Sequence, residues 1–268
     1  MGESDQSAVA AGEQTSAADI LESLIETGRS EMERETSGLL LSGLSAGLDI
    51  GFGPLLMAVL LTLSESGYGD VGTELLLASA YAVGFILVIV GRSELFTEHT
   101  TLAVMPVLDG RGSVGELARL WGLVYVGNIV GGVLFTVFVV TLMPSLGVAE
   151  PEAFGTIAQK LVEYDLTQLF VAGILAGWLM GLLAWLVTAA QETTSRLLVI
   201  WLVTASIGLL HLPHSIAGNV EVLFGLFLSP EVVFLDYVAF LALATAGNAV
   251  GGGVFVALLK YGHVVRGA

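Results

Sequence analysis

Residues 75–108 read LLLASAYAVGFILVIVGR, then SELFTEHTT, then LAVMPVL. An apolar run of membrane-spanning length stops, nine mostly polar residues follow, and a second short apolar run begins. Non-helical backbone at membrane depth is tolerated only where protein or a water-filled cavity satisfies its polar groups. The stretch therefore reads as a helix, a break and a half-helix. The pattern returns at residues 196–228, where RLLVIWLVTASIGLL leads into HLPHSIAGN and then VEVLFGLFL.

Four uninterrupted apolar runs accompany the two broken ones, giving six spans near 38–63, 74–108, 117–145, 166–190, 195–228 and 233–260. Six spans divide into two sets of three. The first break is followed by GNIVGG at 127–132 and the second by GNAVGG at 247–252. An odd number of spans per set inverts the second copy, and inverted repeats with broken helices meeting near mid-depth place a binding site where the half-helices converge. The expected fold is an all-α membrane protein of six helices in two inverted repeats, with the second and fifth helices broken. The glycines of GNxVGG suit a small-residue packing seam; the asparagines must find a partner or line a polar path.

Composition agrees with this reading. Of 268 residues 55% are hydrophobic and 13% charged, against about 25% charged in soluble domains. Low polarity excludes a disordered acidic chain, and 25 acids against 9 bases exclude a nucleic-acid binder. The acid-rich, lysine-poor balance points to a salt-loving host. Absence of cysteine removes disulfide, thiolate and cysteine-metal chemistry. No phosphate loop, paired-histidine helix or nucleophile elbow suggests an enzyme, a cofactor or a metal.

Positive charge fixes sidedness. Arg29, Arg34, Arg111, Arg119, Arg196, Lys260 and Arg266 fall on one side and Lys160 alone on the other, with Arg92 inside the second span. Both termini are expected in the cytoplasm of a multi-pass cell-membrane protein. Residues 1–37 hold nine acids and two arginines and read as a disordered tail followed by a short amphipathic helix, opened by capping-box spacing at Ser16 and Asp19. Residues 38–262 form the membrane domain, and 263–268 a cytoplasmic C-terminal tail.

Ionisable residues inside spans are functional candidates. Six of them, Arg92, Glu94, Glu98, His99, His211 and His214, lie in or beside the breaks, and Glu221 follows the second. Thr97 either donates to a passing solute or caps its half-helix. His214, followed by Ser215, either exchanges a proton with a weak-acid anion or is held by the opposite loop. Arg92 is the expected partner of Glu94. Glu98 and Glu221, placed similarly after the two breaks, read either as half-helix caps or as proton-relay groups.

SELFTEHTT, LARLWGLVYVGNIVGG, HSIAGN and GNAVGGGVFVALLKYG, in this order, resemble the formate/nitrite transporter family over about residues 38–262. The resemblance implies an aquaporin-like fold and a homo-pentamer with one pore per subunit. It implies conduction of small monovalent weak-acid anions such as formate or nitrite, passive or coupled to protons. It makes Thr97 the loop threonine, with Leu95 and Phe96 near a constriction. It makes His214 the central histidine, places Asn128 and Asn248 on family positions, and gives Lys160 as a counterpart of an extracellular lysine. Pro213 before the histidine, Gly177-Trp178 in the fourth span, and Glu98, His99 and Glu221 depart from well-known formate channels and resemble a less characterised branch. A channel for water or neutral solutes, or a non-conducting scaffold or sensor, are the alternatives on the same scaffold.

Overall fold

The computed structural model describes residues 15–64 and 69–267, so the first fourteen residues of the acidic segment expected at 1–37 lie outside the described part. The regular structure among the described residues is all helical: α1 (Ala17–Glu33), α2 (Thr36–Ile50), α3 (Phe52–Leu63), α4 (Val71–Gly91), α5 (Phe96–Leu102), α6 (Val104–Leu108), α7 (Val114–Leu142), α8 (Pro151–Val162), α9 (Leu166–Ala189), α10 (Thr193–Leu209), α11 (Ser215–Leu228) and α12 (Phe234–Val250). A π-helical segment, Gly251–Leu258, then leads into α13 (Leu259–Gly267).

Among the described residues, five helical stretches are long and apolar enough to cross a membrane: Thr36–Leu63, Val71–Gly91, Val114–Leu142, Leu166–Ala189 and Phe234–Gly267. The expected fifth span is divided between α10 and α11, two shorter apolar helices. Both spans are interrupted as expected, but the non-helical breaks are only residues 92–95 and 210–214. The half-helices already begin at Phe96 and Ser215, inside the stretches 93–101 and 211–219 that read as breaks, because the polar residues there take up the first turns of the half-helices. Residues 263–267 continue the last helix instead of forming a separate tail. The first span bends at Gly51, three residues ahead of Pro54, whose ring removes one helical hydrogen bond.

The repeat is visible in the packing. α2 lies against α7, and α9 against α12. A Cβ built on Gly43 would stand 2.9 Å from the Val124 carbonyl oxygen, and one on Gly47 would strike the carbonyl of Asn128. In the second repeat a Cβ on Gly177 would strike the Asn248 carbonyl. Within the motifs, a Cβ on Gly127 or Gly131 would meet the carbonyl oxygens of Leu40 or Leu44, and one on Gly247 or Gly251 those of Phe170 or Ile174, so these glycines serve the close backbone approach that membrane helix pairs use.

Two helices lie outside the spans. α1 opens with the capping box between Ser16 and Asp19. Its apolar stripe, Ile20, Leu21, Leu24 and Ile25, is buried against Leu102, Met105 and Trp185, so it is a docked helix rather than a free surface one. Arg111 grips Glu22 with two bonds of 2.6 and 2.7 Å, and Arg119 ties the α1–α2 junction through Met32 O, Arg34 O and Thr36 Oγ1. α8 is an unanticipated helix in the loop before the fourth span. Pro151 sits at its start, and Ala153, Phe154, Ile157, Ala158 and Leu161 form its buried face.

Candidate functional site

Each break is clamped by the asparagine of its own repeat. Asn128 Oδ1 accepts the Phe96 N–H at 2.8 Å, while its Nδ2 donates to Gly43 O and Glu94 O, both at 2.8 Å. Asn248 Oδ1 accepts the Ser215 N–H at 2.8 Å, and its Nδ2 donates to Gly173 O at 2.8 Å and Pro213 O at 2.9 Å. One amide thus serves both sides of a bend that would otherwise leave buried backbone groups unpaired. Both asparagines are fully buried with donors and acceptor occupied.

This pattern sets the register between repeats. Leu95 and His214 are equivalent, each the residue before its half-helix, and Thr97 corresponds to Ile216. Glu98 then corresponds to Ala217 and not to Glu221, which corrects the expected pairing of the two acids. Neither acid caps a half-helix. α5 has no side-chain cap, so Thr97 is not one either. α11 is capped by His214 itself, whose Nδ1 accepts the Ala217 N–H at 3.1 Å.

The first turn of α5 meets the residue that opens α11. Thr97 Oγ1 and His214 Nε2 are 2.7 Å apart, with Thr97 fully buried and His214 1% exposed. Because Nδ1 is an acceptor, the neutral imidazole carries its hydrogen on Nε2 and donates it to Thr97; this tautomer is assigned from the bonds. The Thr97 hydroxyl hydrogen is left for another acceptor. The N–H groups of Thr97 and Ile216, equivalent positions on the two half-helices, have no acceptor among the described residues. The centre therefore presents hydrogen-bond donors at the starts of two facing helices, where the helix dipoles favour negative charge.

Apolar side chains close round this centre. The Phe85 ring stands edge-on to the His214 imidazole, centroids 4.9 Å apart, and Tyr81 packs on Phe85 at 5.1 Å. Leu95 is fully buried, whereas Phe96 turns toward α7 and packs against Trp121 and Tyr125. Phe85 is a site residue that the sequence does not reveal, since it is one apolar residue in an apolar run. Ser215 gives its N–H to Asn248, and its buried Oγ has no partner among the described residues. On the α5 side, Thr101 Oγ1 donates to Gly252 O at 2.9 Å, where the π-helical turn lets α5 approach the last span. π-Helical turns are frequent at functional sites.

The charged candidates form two separate groups. On the α1 side, Glu94 binds Arg34 at 2.6 Å and His99 Nε2 at 2.5 Å, and Arg34 also binds Glu31 at 2.6 Å. Arg34 thus replaces Arg92 as the partner of Glu94. Arg92 is exposed, with left-handed backbone (φ 59°) at the end of α4. Glu98 is half-buried on α5 and makes no hydrogen bond among the described residues. On the α8 side, Lys160, His211, Glu221 and Tyr81 line one narrow crevice of about 10 Å³, the room of a single water. His211 pairs with Glu74 at 3.4 Å. Among the described residues no group of His, Asp and Glu is arranged to hold a metal ion.

The formate/nitrite transporter family profile matches residues 18–262. An inner membrane protein, YfdC, of Escherichia coli (strain K12) is 34% identical over 249 residues, 91% of this chain and 78% of that protein. Among solved structures, an FNT family ion channel superposes with a TM-score of 0.81 at 24% identity, covering 91% of this chain and 98% of that one. A pentameric formate channel with formate bound superposes at 0.73 and 24% identity, covering 87% and 98%. With the profile spanning nearly the whole chain, the protein belongs to the formate/nitrite transporter family: it is a multi-pass membrane transporter of small anions and not an enzyme.

Proposed function

We propose that each subunit conducts small monovalent weak-acid anions, of the formate and nitrite class, along a path that passes between the two breaks at Thr97 and His214. The observation that carries this reading is the donor-only centre. Thr97 N–H, Ile216 N–H and the Thr97 hydroxyl are donors without an acceptor among the described residues, at the starts of the two half-helices that meet through Thr97 and His214, and no described carboxylate hydrogen-bonds to either side chain. Such a centre holds an anion without a full positive charge, so the ion binds weakly enough to leave again. Lys160 at the α8 mouth adds the one cationic side chain of that crevice other than a protonated histidine.

His214 orients and donates in this scheme. A second proton on Nδ1 would cost the bond to Ala217 N–H, so the imidazole is a proton source only when the α11 cap opens. Leu95 and Phe85 narrow the path on either side, which favours a solute that crosses the apolar part in neutral, protonated form. The asparagines act from behind, by fixing the bends. Five such subunits form the assembly, as in the pentameric formate channel of like fold, with both termini in the cytoplasm as the arginine distribution demands.

Uptake by liposomes holding the purified protein tests the proposal. Formate and nitrite should enter well above protein-free liposomes, with chloride far slower. Rapid osmotic swelling in glycerol with no anion uptake would instead establish the neutral-solute channel.

A further inference from the structure

Glu221 is the residue that a path for anions should not contain. It lies seven residues beyond His214, about 10 Å along the helix on the same face, and its side chain lines the crevice at the α8 mouth. It is 6% exposed and makes no hydrogen bond or ion pair among the described residues, so it has no structural bond that would account for a carboxyl there. Phe85, whose ring packs on His214, does not line this crevice, so Glu221 stands nearer the α8 mouth than the Phe85–His214 contact does.

The titratable and charged groups facing it are Tyr81 from α4, Lys160 from α8 and His211 from the second break, with Glu74 of α4 paired to His211. α3 contributes Met57, and α7 and α12 bring none to the crevice. The neutral His214 tautomer is a hydrogen-bond donor and a poor acid, so another group must supply the proton if a weak acid is to cross the Phe85 constriction uncharged.

We propose that Glu221 is that group: a proton-donating gate that converts an entering weak-acid anion to its neutral acid and turns back anions that cannot be protonated. The inference rests on the anion-transport reading above. The Glu221 O–H bond breaks as an O–H bond forms on the anion, leaving a carboxylate on the protein and a neutral acid in the path. The acid moves on past Phe85, and the carboxylate is reprotonated by hydronium from the bulk at the same mouth, releasing water. While ionised, Glu221 repels the next anion. Strong-acid anions such as nitrate and chloride take no proton from it and are excluded.

The test is formate and nitrate uptake by liposomes holding full-length protein, at several pH values on the α8 side, for wild type and for Glu221→Gln and Glu221→Asp. Wild-type formate uptake is expected to rise steeply on acidification with nitrate uptake near background. Glu221→Gln, equal in shape but without the acid, is expected to lose at least tenfold in formate uptake and to show a flat pH profile. Glu221→Asp should restore the pH dependence with a displaced midpoint. Wild-type transport with a Gln variant of unchanged rate and profile overturns the gate alone. Wild-type protein that carries no weak acid overturns the transport reading and the gate with it. Should the Gln variant fail to fold, an Asp variant with an unchanged midpoint overturns the gate.

Discussion

Replacing Asn248 with alanine should unfold the second break before it touches transport. The substitution removes three hydrogen bonds. Gly173 O keeps its helical donor within α9, but the Ser215 N–H and the Pro213 carbonyl lose the partners they have among the described residues. A buried polar group left unpaired costs about 1–3 kcal/mol, so two cost about 2–6 kcal/mol. Against a total stability of about 5–15 kcal/mol this is a large fraction. The repeat register makes a second demand: Asn128→Ala orphans the Phe96 N–H and the Glu94 carbonyl in the same way and should lose a similar amount. Unfolding in mixed detergent micelles, followed by helix signal, measures both. A loss below about 1 kcal/mol for either variant would refute the clamp, as would a large loss for one and none for the other.

Two further variants test the packing and the docked helix. Gly47→Ala forces a Cβ onto the Asn128 carbonyl and should destabilise by about 1–3 kcal/mol, whereas Gly38→Ala, which meets nothing within 4 Å, should be neutral or gain up to about 1 kcal/mol in helix propensity; melting of the two proteins decides. Burial raises the Glu31 carboxyl above its ordinary 4.5 despite the opposing Arg34 ion pair. The docked α1 then binds a proton more tightly than the free helix, so docking strengthens as pH falls through that raised value to the ordinary 4.5 and is weakest above it. Hydrogen exchange at residues 29–33 should slow over this window once corrected for the intrinsic rate, and Glu31→Gln should abolish the trend.

Much of this protein was legible before its structure. Long apolar runs interrupted by SELFTEHTT and HLPHSIAGN have few physical solutions, and the recurring GNxVGG located both clamps. What escaped depends on contacts that have no local signature. Arg34 lies 60 residues from Glu94, so nearby Arg92 looked the better partner. Phe85 differs from its neighbours only in what it faces. Similar distances from the breaks made Glu98 and Glu221 look equivalent, and only the backbone bonds of the asparagines set the true register. α8 did leave a trace, since Pro151 at a helix start and apolar residues at 153, 154, 157, 158 and 161 have helical spacing. The π-helical turn at Gly251–Leu258 left none beyond its three glycines.

The most direct test of the path itself is formate uptake by liposomes holding Thr97→Val, a change that keeps shape and removes the hydroxyl at the contact of the two breaks. A hydrogen bond to a charged group is worth about 1.5–3 kcal/mol, roughly 10- to 150-fold in rate if the anion receives it at the highest barrier. The account predicts a loss of at least tenfold with subunit assembly unchanged and a stability loss no larger than about 1–3 kcal/mol, the cost of the orphaned His214 Nε2–H. A Thr97→Val protein that takes up formate at the wild-type rate would place the path elsewhere.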